Sequence, residues 1–132
     1  MTPALSIALL TSSTGPHGGV VHTLALAEAL AALGQDVTVW ALGRDGDTGF
    51  FRPVDPAVRQ VIVPFAEAEE GESAGDRVLR SITVLGEAFD PSGYQVVHAQ
   101  DCIGANAATA AGARCVRTVH RLERFTSPAL AA

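Results

Sequence analysis

Three groups of polar or glycine residues follow short apolar segments, and these are the residues where chemistry is expected. Gly18-Gly19 follows the first segment, His98-Ala99-Gln100-Asp101 ends a second, and Thr118-Val119-His120 ends a third. An imidazole and a carboxylate placed together can orient a hydroxyl group or exchange a proton with it. Glycines that open a helix let a ligand approach backbone amides, and the helix dipole there favours an anion such as phosphate. The pattern predicts a site for a phosphate-bearing ligand.

These groups need a framework that brings them together. The apolar runs predict five strands, at residues 5–11, 36–42, 59–64, 94–99 and 114–119. Helical spacing predicts three helices between them, at 20–33, 76–89 and 102–111, and two surface loops at 43–56 and 66–75. Such alternation is typical of right-handed βαβ units. We therefore predict an α/β fold, a Rossmann-like parallel sheet of about five strands with helices on both faces. In such a sheet, ligands bind beyond the carboxyl ends of the strands, where the polar groups fall.

Composition excludes several classes of protein. The 132 residues are 48% hydrophobic, which fits one folded domain. The net charge is −5 and all nine basic residues are arginine, so nucleic acid is not an expected partner and a lysine-containing phosphate loop is excluded. No apolar run reaches the roughly 18 to 20 residues of a membrane span, and Met1-Thr2-Pro3 lacks the basic start of a secretory signal. We expect a cytoplasmic protein without an integral membrane segment.

The same residues also fit other kinds of protein and purely structural roles. Residues 15–19 do not give Gly-x-Gly-x-x-Gly, and the second strand ends without the ribose-binding acid, which disfavours a nicotinamide dehydrogenase. The glycines of this loop would also suit a tight turn with no ligand. Asp101 would also suit the N-cap of the helix that follows it. These structural alternatives remain open at this point.

A zinc site is the other alternative, since four possible ligands have a finger-like spacing: His98, Cys102, Cys115 and His120. The geometry of the predicted fifth strand argues against it. Cys115 and His120 lie at opposite ends of that strand, about 16 Å apart at about 3.3 Å per residue. No metal site is therefore expected.

The sequence resembles the amino-terminal domain of GT-B glycosyltransferases of family four. The resemblance rests on the order, the spacing and the placement at strand ends of three motifs: Gly18-Gly19-Val20, His98 to Asp101 and Thr118 to His120. The resemblance covers most of the chain, from the first strand to just beyond residue 120. It implies transfer of a sugar from a nucleotide-sugar to an acceptor, with retention of anomeric configuration. It also implies that no metal or other cofactor takes part.

The resemblance assigns roles to individual residues. The Gly18 and Gly19 amides would face the donor phosphates, with His17 as a further donor-binding candidate. His120 would contact the transferred sugar as the catalytic residue. On the acceptor side of the cleft, the residues implied are His98 and Asp101. His22 falls within the first helix and is expected to be structural.

The departure from the family concerns the second half of such enzymes. Their carboxyl-terminal domain supplies the donor pocket, and no such domain is present in these residues. We expect residues 1–132 to form a single acceptor-side domain, truncated or split, and inactive alone, with a second chain carrying the missing domain as a candidate partner. Two alternatives remain: a stand-alone Rossmann-like nucleotide-binding or regulatory module without catalysis, and an assembly domain that binds no ligand.

Overall fold

A five-stranded parallel sheet with the order β3-β2-β1-β4-β5 organises the chain. The computed structural model describes residues 3–120. The strands are β1 (Ser6–Thr11), β2 (Asp36–Arg44), β3 (Arg59–Phe65), β4 (Val96–Ala99) and β5 (Val116–Arg117). The helices are α1 (Gly18–Ala32), α2 (Ala74–Ala88) and α3 (Cys102–Ala110), and no helix within the described residues could span a bilayer. The predicted Rossmann-like α/β fold is confirmed.

The core lies on both faces of the sheet because β1 alternates its side chains between two apolar clusters. Ile7 and Leu9 pack on the face covered by α1, with Ala27 of that helix. Ala8 and Leu10 pack on the opposite face, against buried residues of α2 and α3. All four β1 side chains are 5% exposed or less. Burial on both faces is what turns β1 into a continuous apolar run in the sequence.

Two glycines allow α2 and α3 to pack closely. A Cβ on Gly104 would lie 3.1 Å from the carbonyl oxygen of Leu10, so α3 sits almost directly on β1. A Cβ on Gly86 would lie 3.3 Å from the carbonyl oxygen of Ala107, where α2 meets α3. By helix propensity alone, a glycine inside a helix is destabilising. The small size of these two glycines instead gives the helices close contact with their neighbours.

Most element boundaries differ from the predicted ones by a residue or two, and the differences at α1, α2 and β5 have identifiable features. Helix α1 begins at Gly18 instead of Val20, so both glycines belong to its first turn. Helix α2 begins at Ala74 because Ser73 is its N-cap and forms a capping box with Asp76. Strand β5 is only Val116–Arg117, which pair in register with His98 and Ala99 of β4. His120 therefore lies three residues beyond the end of β5.

The connection from β2 to β3 is more than a surface loop. Arg52 binds Glu28 of α1 through a 2.6 Å ion pair, and the Asp55 amide donates to the same carboxylate at 3.0 Å. Val58, 3% exposed, packs into the cluster beneath α1, with Phe50 and Val54 against its edge. This connection therefore buries, together with α1, the apolar side chains on that face of the sheet.

The acidic segment 66–75 is fastened to α2. Glu72 accepts two hydrogen bonds from Arg80, at 2.7 and 2.9 Å, and its side chain is only 7% exposed. Arg80 in turn lies over the Phe65 ring, 4.2 Å from its centroid. The sequence predicted a solvated loop here, but this glutamate is largely buried as an ion pair.

Candidate active site

The site lies where the connections leaving β1 and β4 diverge. The chain leaves β1 toward α1 on one face and leaves β4 toward α3 on the other, while the two strands are neighbours in the sheet. In an open parallel sheet this divergence leaves a crevice at the carboxyl ends of the strands, the usual ligand position. Here, residues 11–12 form one wall and residues 100–101 the other, joined by the Gln100 amide donating to the Leu10 carbonyl at 2.9 Å.

Asp101 joins the two walls of the crevice. One carboxylate oxygen accepts a hydrogen bond from the Gly104 amide at 2.7 Å and so caps α3. The other accepts from the Ser12 amide at 2.8 Å and, more weakly, from the Thr11 hydroxyl at 3.4 Å. The capping role considered from the sequence is therefore present. A contact between Asp101 and an acceptor substrate stays a prediction.

The first turn of α1 faces the crevice with open amides. His17 occupies the N-cap, but its side chain makes no capping hydrogen bond, and the first turn contains no acidic residue. Among the described residues, nothing accepts a hydrogen bond from the Gly18 or Gly19 amide. Such amides must bind water or a ligand, and with the positive end of the helix dipole they suit an anion. A Cβ on Gly18 would meet no atom within 4 Å, so the approach is open.

His120 lies against this same turn, and three groups hold its ring. Its Nε2 is 3.1 Å from Oε1 of Gln100. The ring of His22 meets it edge to face, with 4.8 Å between centroids. A Cβ on Gly19 would lie 3.8 Å from Cδ2 of His120. The fold thus brings the third polar group of the sequence onto the first.

His98 lies beside this arrangement on the α1 face of the sheet. It pairs in register with Leu9 of β1, and its Nε2 is 2.5 Å from the Thr118 hydroxyl. Burial lowers the pKa of His98 below its usual value, and the neighbouring His22 and His120 lower it further. The ring is therefore neutral at pH 7, where it can donate or accept a hydrogen bond without carrying charge.

The side chain of His17 lies apart from the other predicted histidines of the site, His98 and His120. His17 is exposed, and none of the contacts among residues 3–120 joins its side chain to His98 or His120. Its position at the N-cap still places it beside the open amides of α1. A donor-binding role for His17 stays a prediction.

Three residues of the site were missed by sequence reasoning. Gln100 was noted in the strand-end motif without a role, and His22 was treated as structural although it lies one helical turn after Gly18 and Gly19. Arg44, at the end of β2, donates from Nε to the Ser12 carbonyl at 3.2 Å and supports the loop after β1. An arginine at a strand end was the available signal for it.

The described residues also form a concavity apart from this crevice, and they contain no cluster of metal ligands. A concavity of about 550 Å³, lined by residues from the segments 90–97 and 111–114, lies at the amino ends of β4 and β5, opposite the site. No group of three histidine, cysteine or acidic side chains within residues 3–120 is arranged to hold a metal ion.

The fold defines a Rossmann-like α/β domain, and its candidate site lies at the topological switch point of the sheet. The family model for Glycosyltransferase Family 4 matches residues 16–131, and the chain belongs to that family. No curated protein shows a significant sequence match. Among solved structures, the C-terminal domain of a hydrogenase from Pyrococcus furiosus is similar, with a TM-score of 0.65 and 14% identity over 89% of this chain and 94% of that one. At this identity the likeness concerns the fold alone.

Proposed function

We propose that this chain is the acceptor-side, amino-terminal domain of a retaining glycosyltransferase that uses a nucleotide-sugar donor. The observation that carries the proposal is the contact of His120 with the first turn of α1, in a chain of glycosyltransferase family 4. It puts an imidazole directly beside open backbone amides. Backbone amides can bind a phosphate, and a neighbouring imidazole can hydrogen-bond to a hydroxyl group of the attached sugar.

The donor phosphate is assigned to the Gly18 and Gly19 amides. Both lie in the first turn of α1, where the dipole is positive and no carboxylate competes for the amides. His17 stands next to them as a second candidate for this end of the donor. A single hydrogen bond to an exposed phosphate contributes modestly to the binding free energy, whereas two or three together fix the position of the phosphate.

The transferred sugar is assigned to His120, and the acceptor to the side of the crevice bearing His98 and Asp101. His98 is neutral, so it suits a hydroxyl group better than an anion. Asp101 Oδ1 accepts a single hydrogen bond, from the Gly104 amide, so it has a further lone pair for a hydroxyl donor, whereas Oδ2 already accepts from Ser12 and Thr11. An acceptor hydroxyl held between His98 and Asp101 would face the sugar at His120.

Calorimetric titration of the chain with nucleoside diphosphate sugars tests the donor assignment. Gly19→Ala adds a methyl group that narrows the space between the first turn of α1 and His120, but it meets no protein atom closer than 3.8 Å, so the fold should persist. We expect it to weaken binding about tenfold, the equivalent of one charge-assisted hydrogen bond. Ser92→Ala, in the turn before β4 at the opposite end of the sheet, is the matched control and should bind as the wild type does.

His120→Ala separates the sugar from the nucleotide. If His120 contacts the sugar, the substitution weakens binding of the nucleotide-sugar and leaves binding of the nucleoside diphosphate alone unchanged. The alternative is that the nucleotide-sugar and the nucleoside diphosphate bind equally well and that substitution of His98 or His120 changes neither affinity. This result would instead indicate a nucleotide-binding module without transferase chemistry. That result would reject the proposal.

Turnover is proposed to need a second domain that supplies the donor pocket, on this or another chain. The expectation follows from the two-domain plan of the family and is tested by incubating residues 1–132 with nucleotide-sugars and following release of the nucleoside diphosphate. Release above the rate without protein, by this chain alone, would contradict it.

A further inference from the structure

Gln100 is a buried carboxamide that packing does not explain. It is 1% exposed at the end of β4, and its Nε2 has no hydrogen-bond partner among the described residues. A buried donor left without a partner costs about 1–3 kcal/mol. The backbone of Gln100 is already satisfied through Leu10, so an apolar side chain of the same volume would fill the position without that cost. The presence of a carboxamide here therefore indicates a role for its carbonyl oxygen, Oε1.

The other end of the carboxamide touches His120. Oε1 of Gln100 is 3.1 Å from Nε2 of His120. With Oε1 turned toward His120, this contact is a hydrogen bond only when Nε2 carries the proton, and in the neutral ring Nδ1 then keeps its lone pair. His120 itself is exposed, and outside these contacts its ring would be free to rotate. Gln100, in contrast, is buried, so its side chain has little freedom to move and can hold the His120 ring.

We propose that Gln100 is a positioning residue for His120, fixing the ring over Gly19 in the Nε2-protonated form, with His22 holding the ring edge. His22 contributes through its edge-to-face contact at 4.8 Å. In this arrangement Nδ1 is the nitrogen left for the substrate, and it accepts a hydrogen bond from a hydroxyl group of the sugar. The last step rests on the proposed function, whereas the tautomer and the ring position belong to the chain alone.

The tautomer is measured directly by nitrogen-15 NMR of the imidazole rings in the 132-residue chain. The chain contains four histidines, so the His120 signals are assigned by their loss in His120→Ala. We expect wild-type His120 at neutral pH to carry its proton on Nε2. A wild-type ring protonated on Nδ1 would overturn the proposal without any further variant.

Two substitutions of Gln100 test whether it is the cause. Gln100→Met keeps the volume but offers no acceptor, and we expect His120 to change to a mixture of tautomers. Gln100→Glu keeps an oxygen at the same position and should preserve the Nε2 proton. The His17 signals, which come from a ring outside this cluster, should be unchanged in both. A His120 tautomer that is unaffected by Gln100→Met would overturn the proposal. If that variant does not fold, the wild-type tautomer still decides.

Failure of this inference and failure of the proposed function give different results. If no nucleotide-sugar binds, the NMR result for Gln100 and His120 stands unchanged, and only the sugar contact is rejected. If nucleotide-sugar binds and is weakened by His120→Ala but not by Gln100→Met, the function stands and the positioning role is rejected. The proposed function and the positioning role both hold only if His120→Ala and Gln100→Met each weaken binding of the nucleotide-sugar.

Discussion

Asp101 connects the two walls of the crevice, so its removal tests how the site is built. Asp101→Ala removes the N-cap of α3, which typically costs about 1 kcal/mol. It also removes the charged acceptor of the Ser12 amide, which is 2.8 Å away. A hydrogen bond to a charged group contributes about 1.5–3 kcal/mol. We expect the free energy of unfolding to fall by about 2–4 kcal/mol in total.

Urea unfolding, followed by the fluorescence of the single tryptophan, Trp40, measures this loss. Ser73→Ala is the matched control because Ser73 caps α2 through the Asp76 amide and holds no strand or loop. It should cost about 1 kcal/mol. The difference between the two variants is the contribution of the Ser12 contact. A loss for Asp101→Ala no larger than that for Ser73→Ala would refute the reasoning.

Two further predictions concern packing and pH. Gly43→Ala should lower the free energy of unfolding by about 1–3 kcal/mol, because a Cβ there would overlap the Asp47 carbonyl oxygen and come within 2.6 Å of Ile62 Cγ2. Gly49→Ala meets no atom within 4 Å and should cost much less in the same urea assay. Because burial lowers the pKa of His98, the unfolded chain binds its proton more readily. Stability should therefore fall as pH drops below about 6.5, and His98→Gln should reduce that slope in unfolding experiments between pH 7 and pH 5.

The fold was largely predictable because it depends on local patterns. Continuous apolar runs such as residues 7–10 indicate strands buried on both faces, and glycines and prolines mark where they end. The start of α2 was missed although Ser73 and Asp76 form a recognisable capping box. The Glu28 to Arg52 ion pair was beyond prediction, since it joins α1 to a loop 24 residues away.

The candidate site was predictable in its parts but not in its assembly. By itself, the sequence determined which residue types fall at the strand ends, among them Gly19, His98 and His120, since strand ends follow from apolar periodicity. Only the tertiary structure decided that His120 rests on Gly19, and that Gln100 and His22 hold it. The physical reason is that strand order and helix packing set these contacts, which join residues up to 101 positions apart, and no local pattern encodes such pairings.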